Sequence, residues 1–128
     1  MSRTNISSNV PWESIVGYSR AVRIGNVIEV AGSTSIVDGT VAGQGDAAMQ
    51  MRIILQKIES ALRQVGASLS DVVRTRIYVT DISSWEIIGR VHGEFFKDIK
   101  PATTMVEVSR LIEPDMLVEV EATAIIQS

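Results

Sequence analysis

The 128-residue chain contains no cysteine and a single histidine, His92. The absence of cysteine excludes disulfide bonds, thiolate zinc sites, iron–sulfur clusters and cysteine nucleophiles. A single histidine excludes any site in one chain that needs several imidazole ligands for its metal. We therefore expect a protein that works without a metal ion.

A strong charge of either sign and a long apolar run are also missing. Twelve basic and fifteen acidic residues give a net charge of −3, and the pI is about 5.1. Domains that bind nucleic acid strongly are usually basic, with a pI above about 9, so the composition argues against a nucleic-acid partner. No apolar run approaches the ~20 residues that span a bilayer, and the polar start MSRTNISSN does not resemble a signal peptide. We expect a cytoplasmic protein that does not associate with membranes.

The residues that are present favour one globular domain over 1–128. The chain is 45% hydrophobic, and its length can bury a core of useful size. The first 15 or so residues are polar, and we expect them to be irregular because Pro11 interrupts regular structure. The elements predicted in chain order are strands over 19–24, 26–31 and 35–41, a helix over 46–65, a strand over 71–80, a helix over 84–97, and strands over 103–110 and 116–127. This order indicates an α+β fold in which two helices cover one face of a mixed sheet.

Local signals fix the ends of the two predicted helices. Asp46 is a plausible N-cap of the first helix, and Gly66 stands where a left-handed residue commonly ends one. Ser83 and Glu86 have the spacing of a capping box at the start of the second helix. The polar side of the first helix is expected to face water; its residues are Gln50, Arg52, Lys57, Glu59 and Arg63.

The predicted sheet has two unlike faces. In the last strand Val118 and its alternate neighbours are apolar, whereas Glu119 and Glu121 point to the other side. The strand over 71–80 is expected to place Val73, Ile77 and Val79 toward the core and Arg74, Arg76 and Tyr78 on that second face. A second face that is half apolar and carries both charge signs favours packing against other subunits. A solvated face with ordinary surface ion pairs is the alternative.

Two groups of residues could carry chemistry. His92 could act as a general base, because its pKa lies near neutrality, or it could be a partly buried helix residue with a satisfied hydrogen bond. Glu119 and Glu121 could divide the acid and base roles of a paired-carboxylate site. Ion pairing of these glutamates with Arg74 or Arg76 is the simpler alternative.

Four segments together resemble the RidA/YjgF family, also known as L-PSP endoribonucleases or translation inhibitors. They are GYSRAVRIGNVIEVAG, VVRTRIYVTDI, GEFF and PATTMVEVSRL followed by VEVEATAI, and the resemblance covers about residues 15–126. It implies a chorismate-mutase-like α+β fold and a homotrimer with a small-molecule cleft at each junction between two subunits. It also implies hydrolysis of reactive imines and enamines, formed by pyridoxal-phosphate enzymes, to 2-keto acids and ammonia without a cofactor.

The resemblance assigns roles residue by residue. Glu119 matches the cleft glutamate that orients or activates the attacking water, and Tyr18 matches a tyrosine that shapes the pocket. The active branch binds the substrate carboxylate through the arginine of a P-A-R motif followed by Ser or Thr. This chain has Thr103 at that position, and threonine cannot form a charge-assisted bidentate clamp.

Other cleft positions also depart from the family pattern. Ala31 stands where a serine is usual, followed by Gly32, and Gly89 replaces an asparagine of the second helix. His92 takes the position of a frequent tyrosine. Arg76 stands where the active branch commonly has a neutral residue, so it could replace the missing clamp, or it could pair with a glutamate on its own face.

Three functional hypotheses follow. The first is a trimer of an arginine-less branch that binds a small imine, enamine or carbonyl metabolite and hydrolyses it in a deaminase-type reaction. In this hypothesis Glu119 activates water, and Thr103 and the Gly32 backbone bind the polar end of the ligand; Ala31, Arg76 and His92 complete the candidate binding residues. The second is a non-catalytic metabolite-binding or protein-interaction trimer. The third is an endoribonuclease, against which the net negative charge argues.

Overall fold

A computed structural model describes residues 2–127. It contains one mixed six-stranded sheet, a two-stranded ribbon and three α-helices within those residues. The elements are β1 (Arg3–Ile6), α1 (Pro11–Val16), β2 (Ala21–Ile24), β3 (Val27–Ser33), β4 (Ile36–Val37), β5 (Thr40–Val41), α2 (Ala47–Gln64), β6 (Val72–Val79), α3 (Trp85–Phe96), β7 (Ala102–Glu107) and β8 (Val118–Ile125). The expected α+β class with a mixed sheet is confirmed.

Strand order in the large sheet is β1-β2-β3-β8-β6-β7. All neighbours are antiparallel except β6 and β7, which run parallel. A parallel pair needs a crossover connection, and here α3 supplies it between β6 and β7. The result places β8 at the centre of the sheet, between β3 and β6.

The core lies between the sheet and the two long helices, as the apolar periodicity predicts. The buried residues of α2 and α3 include Met51, Ile54, Leu55, Ile58, Leu62, Ile88, Val91 and Phe96. They meet the apolar side of β8, which presents Val118, Val120, Ala122 and Ala124. Because α2 contacts β3 and β8 and α3 contacts α2, both helices cover the same face of the sheet.

The predicted ends of α2 are confirmed. The Asp46 carboxylate accepts a hydrogen bond from the Met49 backbone N–H at 3.0 Å, and Gly66 adopts a φ of +84° just beyond the helix. An acceptor side chain at the first position satisfies one of the free N–H groups of the first turn. The left-handed glycine lets the chain leave the helix without a Cβ clash.

The predicted capping box at the start of α3 is wrong. A 3₁₀ turn over Ile82–Ser84 precedes the helix, and its cap is Asp81, which accepts from the Ser83 backbone N–H at 2.9 Å. Glu86 instead forms an ion pair with Arg90, one helical turn later. The 3₁₀ turn displaces the helix start and removes Ser83 from the N-cap position.

The expectation of an irregular N-terminal segment is also wrong. β1 pairs with β2 along the edge of the sheet, and α1 follows as a short helix. Pro11 does not break structure here, because it occupies the first turn of α1, where its missing N–H would have no helical partner.

Two side chains lie on the opposite side from the one predicted. Val73 is 43% exposed, because the pairing of β6 with β8 shifts register between Val72 and Arg74 and turns Val72 toward the core instead. Gln50 is fully buried and not in water. Its amide donates to the Asp115 carbonyl at 2.9 Å and accepts from the Leu117 N–H at 2.8 Å, so it fixes the entry into β8.

The face of the sheet opposite α2 and α3 carries both charge signs. Glu121 accepts a hydrogen bond from the Tyr78 hydroxyl and lies 3.7 Å from Arg76, while the Thr123 hydroxyl donates to Glu29. These cross-strand contacts satisfy charged groups within one chain. Packing of this face against further subunits stays a prediction.

Candidate functional site

A cavity of about 390 Å³ lies where α1 meets the ends of β3 and β8. Its lining consists of Val10, Trp12, Val16, Tyr18, Arg20, Ala31, Gly32, Thr34, Ile36, Lys57, Ile112 and Glu119. Four of the predicted site residues therefore lie together, and these are Tyr18, Ala31, Gly32 and Glu119. Volumes of this size are typical of small-molecule sites with an apolar lining and a few polar groups.

Gly32 makes room for the Glu119 carboxyl group. The pairing of β3 with β8 is irregular between Val30 and Ser33, which brings the β3 backbone close to this side chain. A Cβ atom on Gly32 would lie 2.0 Å from Glu119 Oε2. Only glycine, which lacks this atom, fits beside the carboxyl group in its present position.

The Glu119 carboxyl group is half-buried and has a raised pKa. Burial is the main cause, since it disfavours the charged form, and the nearby charge of Glu121 acts in the same direction. The Arg20 guanidinium opposes the shift but does not cancel it. A carboxylate with a raised pKa is a better proton acceptor at neutral pH, as a general base requires.

Arg20 forms the polar frame of the cavity. Its Nη1 donates to the Gly32 carbonyl at 2.6 Å and to Ser33 Oγ at 3.2 Å, and its Nε donates to Ser8 Oγ at 3.2 Å. Its Nη2 lies 3.4 Å from the Tyr18 hydroxyl, and the guanidinium stands 5.6 Å from the centre of the Tyr18 ring. One buried cation thus holds both the backbone beside Glu119 and the tyrosine of the cavity.

The charge of Arg20 is balanced by Glu13 of α1. The Glu13 carboxylate lies 3.9 Å from Arg20 Nη2 and accepts from the Ser8 backbone N–H at 3.0 Å and from its hydroxyl at 2.5 Å. Burial disfavours its charged form, but the hydrogen bonds from Ser8 and Ser7 and the charge of Arg20 together lower the pKa of Glu13. It is therefore ionised at neutral pH, which makes the short α1 helix part of the site.

Lys57 enters the cavity from α2, although the sequence places it on a face exposed to water. The segment at β4 folds over this side of α2, and Lys57 Nζ donates to the backbone carbonyls of Thr34 at 2.7 Å and Ile36 at 3.1 Å. Burial lowers the pKa of Lys57, and the charge of Arg20 lowers it further. Helical periodicity could not reveal this contact, because the covering segment is distant in sequence.

Thr103 and His92 lie outside this cavity and form a separate hydroxyl cluster with Thr75. The buried Thr75 Oγ1 lies 2.9 Å from His92 Nε2 and 2.8 Å from Thr103 Oγ1, and Thr103 also donates to the Pro101 carbonyl at 3.2 Å. The His92 ring packs 4.6 Å from the Phe96 ring, and burial lowers its pKa. This arrangement fits the simpler alternative of a partly buried histidine with a satisfied hydrogen bond.

Arg76 also lies outside the Glu119 cavity. It pairs with Glu121 on the open face of the sheet, at 3.7 Å, in agreement with the alternative that it neutralises a glutamate beside it. Arg74 donates instead to Thr104 Oγ1 at 2.6 Å. The two glutamates of β8 consequently differ: Glu121 is paired, whereas Glu119 takes part in none of the ion pairs within residues 2–127.

Sequence reasoning missed several residues of the cavity. Trp12 belongs to the segment that is expected to be irregular, Lys57 is expected to face water, and no sequence motif assigns a role to Arg20. Their positions depend on contacts between distant segments. One signal could have indicated Arg20: it lies two residues after Tyr18, which the family resemblance assigns to the site.

Two further features of the described part of the chain bear on function. Within residues 2–127, no three acidic or histidine side chains are grouped so that they could hold a metal ion. The helices in this range are also too short or too polar to cross a bilayer.

Comparison with known proteins identifies close relatives. The family model described as Endoribonuclease L-PSP matches residues 8–126. The crystal structure of Rv2704 from Mycobacterium tuberculosis, a member of the YjgF/YER057c/UK114 family, is 55% identical, with a TM-score of 0.89 over 98% of this chain and 100% of that one. The structure of the Escherichia coli YjgF gene product is 29% identical, with a TM-score of 0.85 over 98% of this chain and 100% of that one.

Relatives with a named activity are more distant. The 2-iminobutanoate/2-iminopropanoate deaminase of Escherichia coli K12 is 30% identical over 128 residues, 98% of each chain. The 3-aminoacrylate deaminase RutC of Acinetobacter baylyi is 33% identical over 108 residues, 84% of this chain and 85% of that protein. Because the family model matches residues 8–126 of this chain, the chain belongs to the RidA/YjgF family, the family also described as Endoribonuclease L-PSP.

Proposed function

We propose that the protein hydrolyses a small imine or enamine to a carbonyl compound and ammonia in the Glu119 cavity. The observation that carries this proposal is the half-buried Glu119 carboxyl group with its raised pKa, in a cavity where Gly32 leaves space for it. The printed names of two relatives, an iminobutanoate/iminopropanoate deaminase and an aminoacrylate deaminase, support this reaction class.

The reaction needs one base and one water molecule. An enamine first becomes an imine when an N–H proton moves to its β-carbon. Glu119 then accepts a proton from water while the water oxygen bonds to the carbon of the C=N group, and the protonated carboxyl group passes that proton to the nitrogen. The resulting carbinolamine then loses ammonia when its hydroxyl proton is removed and its nitrogen is protonated, which leaves the carbonyl compound. The same carboxyl group can carry both proton transfers, because its raised pKa makes it an effective acid as well as a base.

We further propose that the functional unit is a homotrimer with a cleft between each pair of subunits. Thr103, His92 and Arg76 do not line the cavity of their own chain, so they could contact a ligand there only from a second copy. The open, half-apolar face of the sheet supports such an assembly. In this arrangement Thr103 would offer a hydroxyl to the polar end of the ligand, together with the Gly32 backbone.

Ammonia release from freshly generated 2-iminopropanoate tests the reaction. Wild type is expected to exceed the buffer rate, and Glu119→Ala is expected to lose the excess. Glu86→Ala is the matched control, because Glu86 is an exposed α3 glutamate paired only with Arg90. No rate above buffer, with wild type equal to Glu119→Ala, would overturn the deaminase proposal.

A non-catalytic metabolite-binding trimer is the second candidate. It is favoured by Thr103, whose hydroxyl is already engaged by Thr75 and Pro101 and which brings no charge to a ligand. This candidate predicts that a ligand raises the melting temperature without being converted. Thermal shift and turnover measured on the same preparation separate the two functions.

A further inference from the structure

The cavity contains two cations with unlike surroundings. Arg20 is neutralised by Glu13 and directs its hydrogen bonds to groups of the protein. Lys57 donates only to two backbone carbonyls, and it takes part in none of the ion pairs within residues 2–127. An ammonium group has three N–H donors, and Lys57 uses two of them. One N–H donor remains, and no carboxylate within residues 2–127 forms an ion pair with the ammonium group.

An unmatched ammonium group at a half-buried site favours an anion beside it. Taking a charge partly out of water is unfavourable unless an opposite charge or good hydrogen bonds replace the lost hydration. The lowered pKa of Lys57 reflects this unfavourable environment, together with repulsion from Arg20. A bound carboxylate would relieve both effects.

The apolar residues that line the cavity indicate the chemistry of the rest of the ligand. Trp12, Val16 and Ile112 form apolar walls, and Val16 and Ile112 are largely exposed in a single chain. A cavity of about 390 Å³ also exceeds the space needed by a three-carbon acid. The chemistry of these walls suits a branched or aromatic substituent.

Lys57 and Glu119 line the same cavity, yet they do not form an ion pair. A ligand bound in this cavity can lie against both of them, with an anionic end at Lys57 and its reacting carbon near Glu119.

We propose that Lys57 is the carboxylate-binding residue of this cavity, and that the ligands are 2-oxo or 2-imino acids with bulky apolar substituents. This inference rests on the proposed function for the location of the reacting carbon. It differs from the clamp by Arg76 that the sequence suggests, because Arg76 pairs with Glu121 outside the cavity. With Lys57 in this role, the ligand carboxylate has a cationic partner even though Thr103 replaces the arginine of the active branch.

Binding of stable 2-oxo acids tests the proposal without turnover. Calorimetry with 4-methyl-2-oxopentanoate, its methyl ester and pyruvate is expected to rank the branched acid first in wild type. Lys57→Met is expected to weaken the branched acid about 10-fold or more, as the loss of a charge-assisted hydrogen bond requires, and to leave the ester unchanged. Lys57→Arg should retain most of the affinity.

The control is Lys97→Met, which removes an exposed lysine at the end of α3 and should bind like wild type. Equal affinity of wild type and Lys57→Met for the branched acid would overturn the proposal. If Lys57→Met fails to fold, the comparison of acid with ester in wild type still decides, because equal binding of the two excludes a carboxylate-binding cation. Binding of 4-methyl-2-oxopentanoate, together with no ammonia release from the corresponding 2-imino acid, would contradict the proposed function and leave the Lys57 site standing.

Discussion

The Glu119 cavity and the hydroxyl cluster around Thr75 both include buried or partly buried polar groups, but they use different chemistry. The cavity is lined by two charged side chains, Arg20 and Lys57, beside a carboxyl group with a raised pKa. The cluster contains two hydroxyls and an imidazole whose pKa is lowered by burial. Neutral groups can satisfy one another completely, whereas the cavity retains a charge that a ligand can match. This difference supports the proposed binding role of the cavity, and within one chain it gives the cluster a structural role.

Gly32→Ala is expected to have the largest effect on the proposed role of the cavity. The new Cβ would overlap Glu119 Oε2 and displace the carboxyl group, and a misplacement of about 1 Å can cost about 100-fold in rate. We therefore expect ammonia release to fall by at least that order. Gly32 does not have a positive φ, so the change acts through the side-chain contact and not through the backbone.

Gly93→Ala is the matched control for this variant. A Cβ on Gly93 meets open space within α3, and alanine favours a helix over glycine by about 0.5–1 kcal/mol. Wild-type turnover and a slightly raised melting temperature are expected. Full activity of Gly32→Ala would show that the position of Glu119 does not matter.

Thr75→Val tests the structural role of the cluster. It keeps the shape of the side chain but removes the hydroxyl that joins His92 to Thr103, so unfolding free energy should fall by about 1–2 kcal/mol. Ammonia release should stay close to wild type. Chemical denaturation measures the first effect, with Thr4→Val on exposed β1 as the control. Lost turnover at unchanged stability would assign the cluster to the reaction instead.

The smallest effect concerns the pH dependence of Glu119. Because its folded pKa lies above the unfolded value, it favours folding in its protonated form, and this contribution is lost as pH rises through the folded pKa. Glu119→Gln should therefore melt higher than wild type at pH 8, by about 1–2 °C, a small change because water screens a half-buried charge. The difference should shrink as the pH falls toward 4.

Melting curves from pH 4 to pH 8 measure this effect. Asp98→Asn, which removes an exposed carboxylate just beyond α3, is the control for the loss of one negative charge. A difference between Glu119→Gln and wild type that is constant with pH would show that burial does not raise the pKa of Glu119. Ammonia release by wild type should fall on the acid side through the same pKa, since the protonated carboxyl cannot act as the base.

Features that depend on local repetition could be predicted from the sequence. The apolar stripe of α2, its cap at Asp46 and the alternation along β8 arise from neighbouring residues, and each is confirmed. The reversed side chains of Val73 and Gln50 depend on a register shift and on a loop distant in sequence, which no local period records. The short α1 and β1 likewise depend on tertiary contacts, since six-residue and four-residue elements have little stability alone.

Some residues of the candidate site could likewise be predicted from the sequence, and others could not. The family resemblance predicts that Tyr18, Gly32 and Glu119 share one site, because all three lie within matched segments. It could not supply Lys57, whose placement requires β4 to cover α2, nor the separation of Thr103 from the cavity of its own chain.

The position of α1 determines what substitutions in this helix can change. Its six residues contribute Trp12 and Val16 to the cavity wall but no side chain to the main hydrophobic core. Substitutions there can alter which substituent is accepted without loosening the packed interior, provided that Glu13 keeps its hold on Arg20. In α1, ligand preference and thermal robustness can therefore evolve, or be engineered, largely independently.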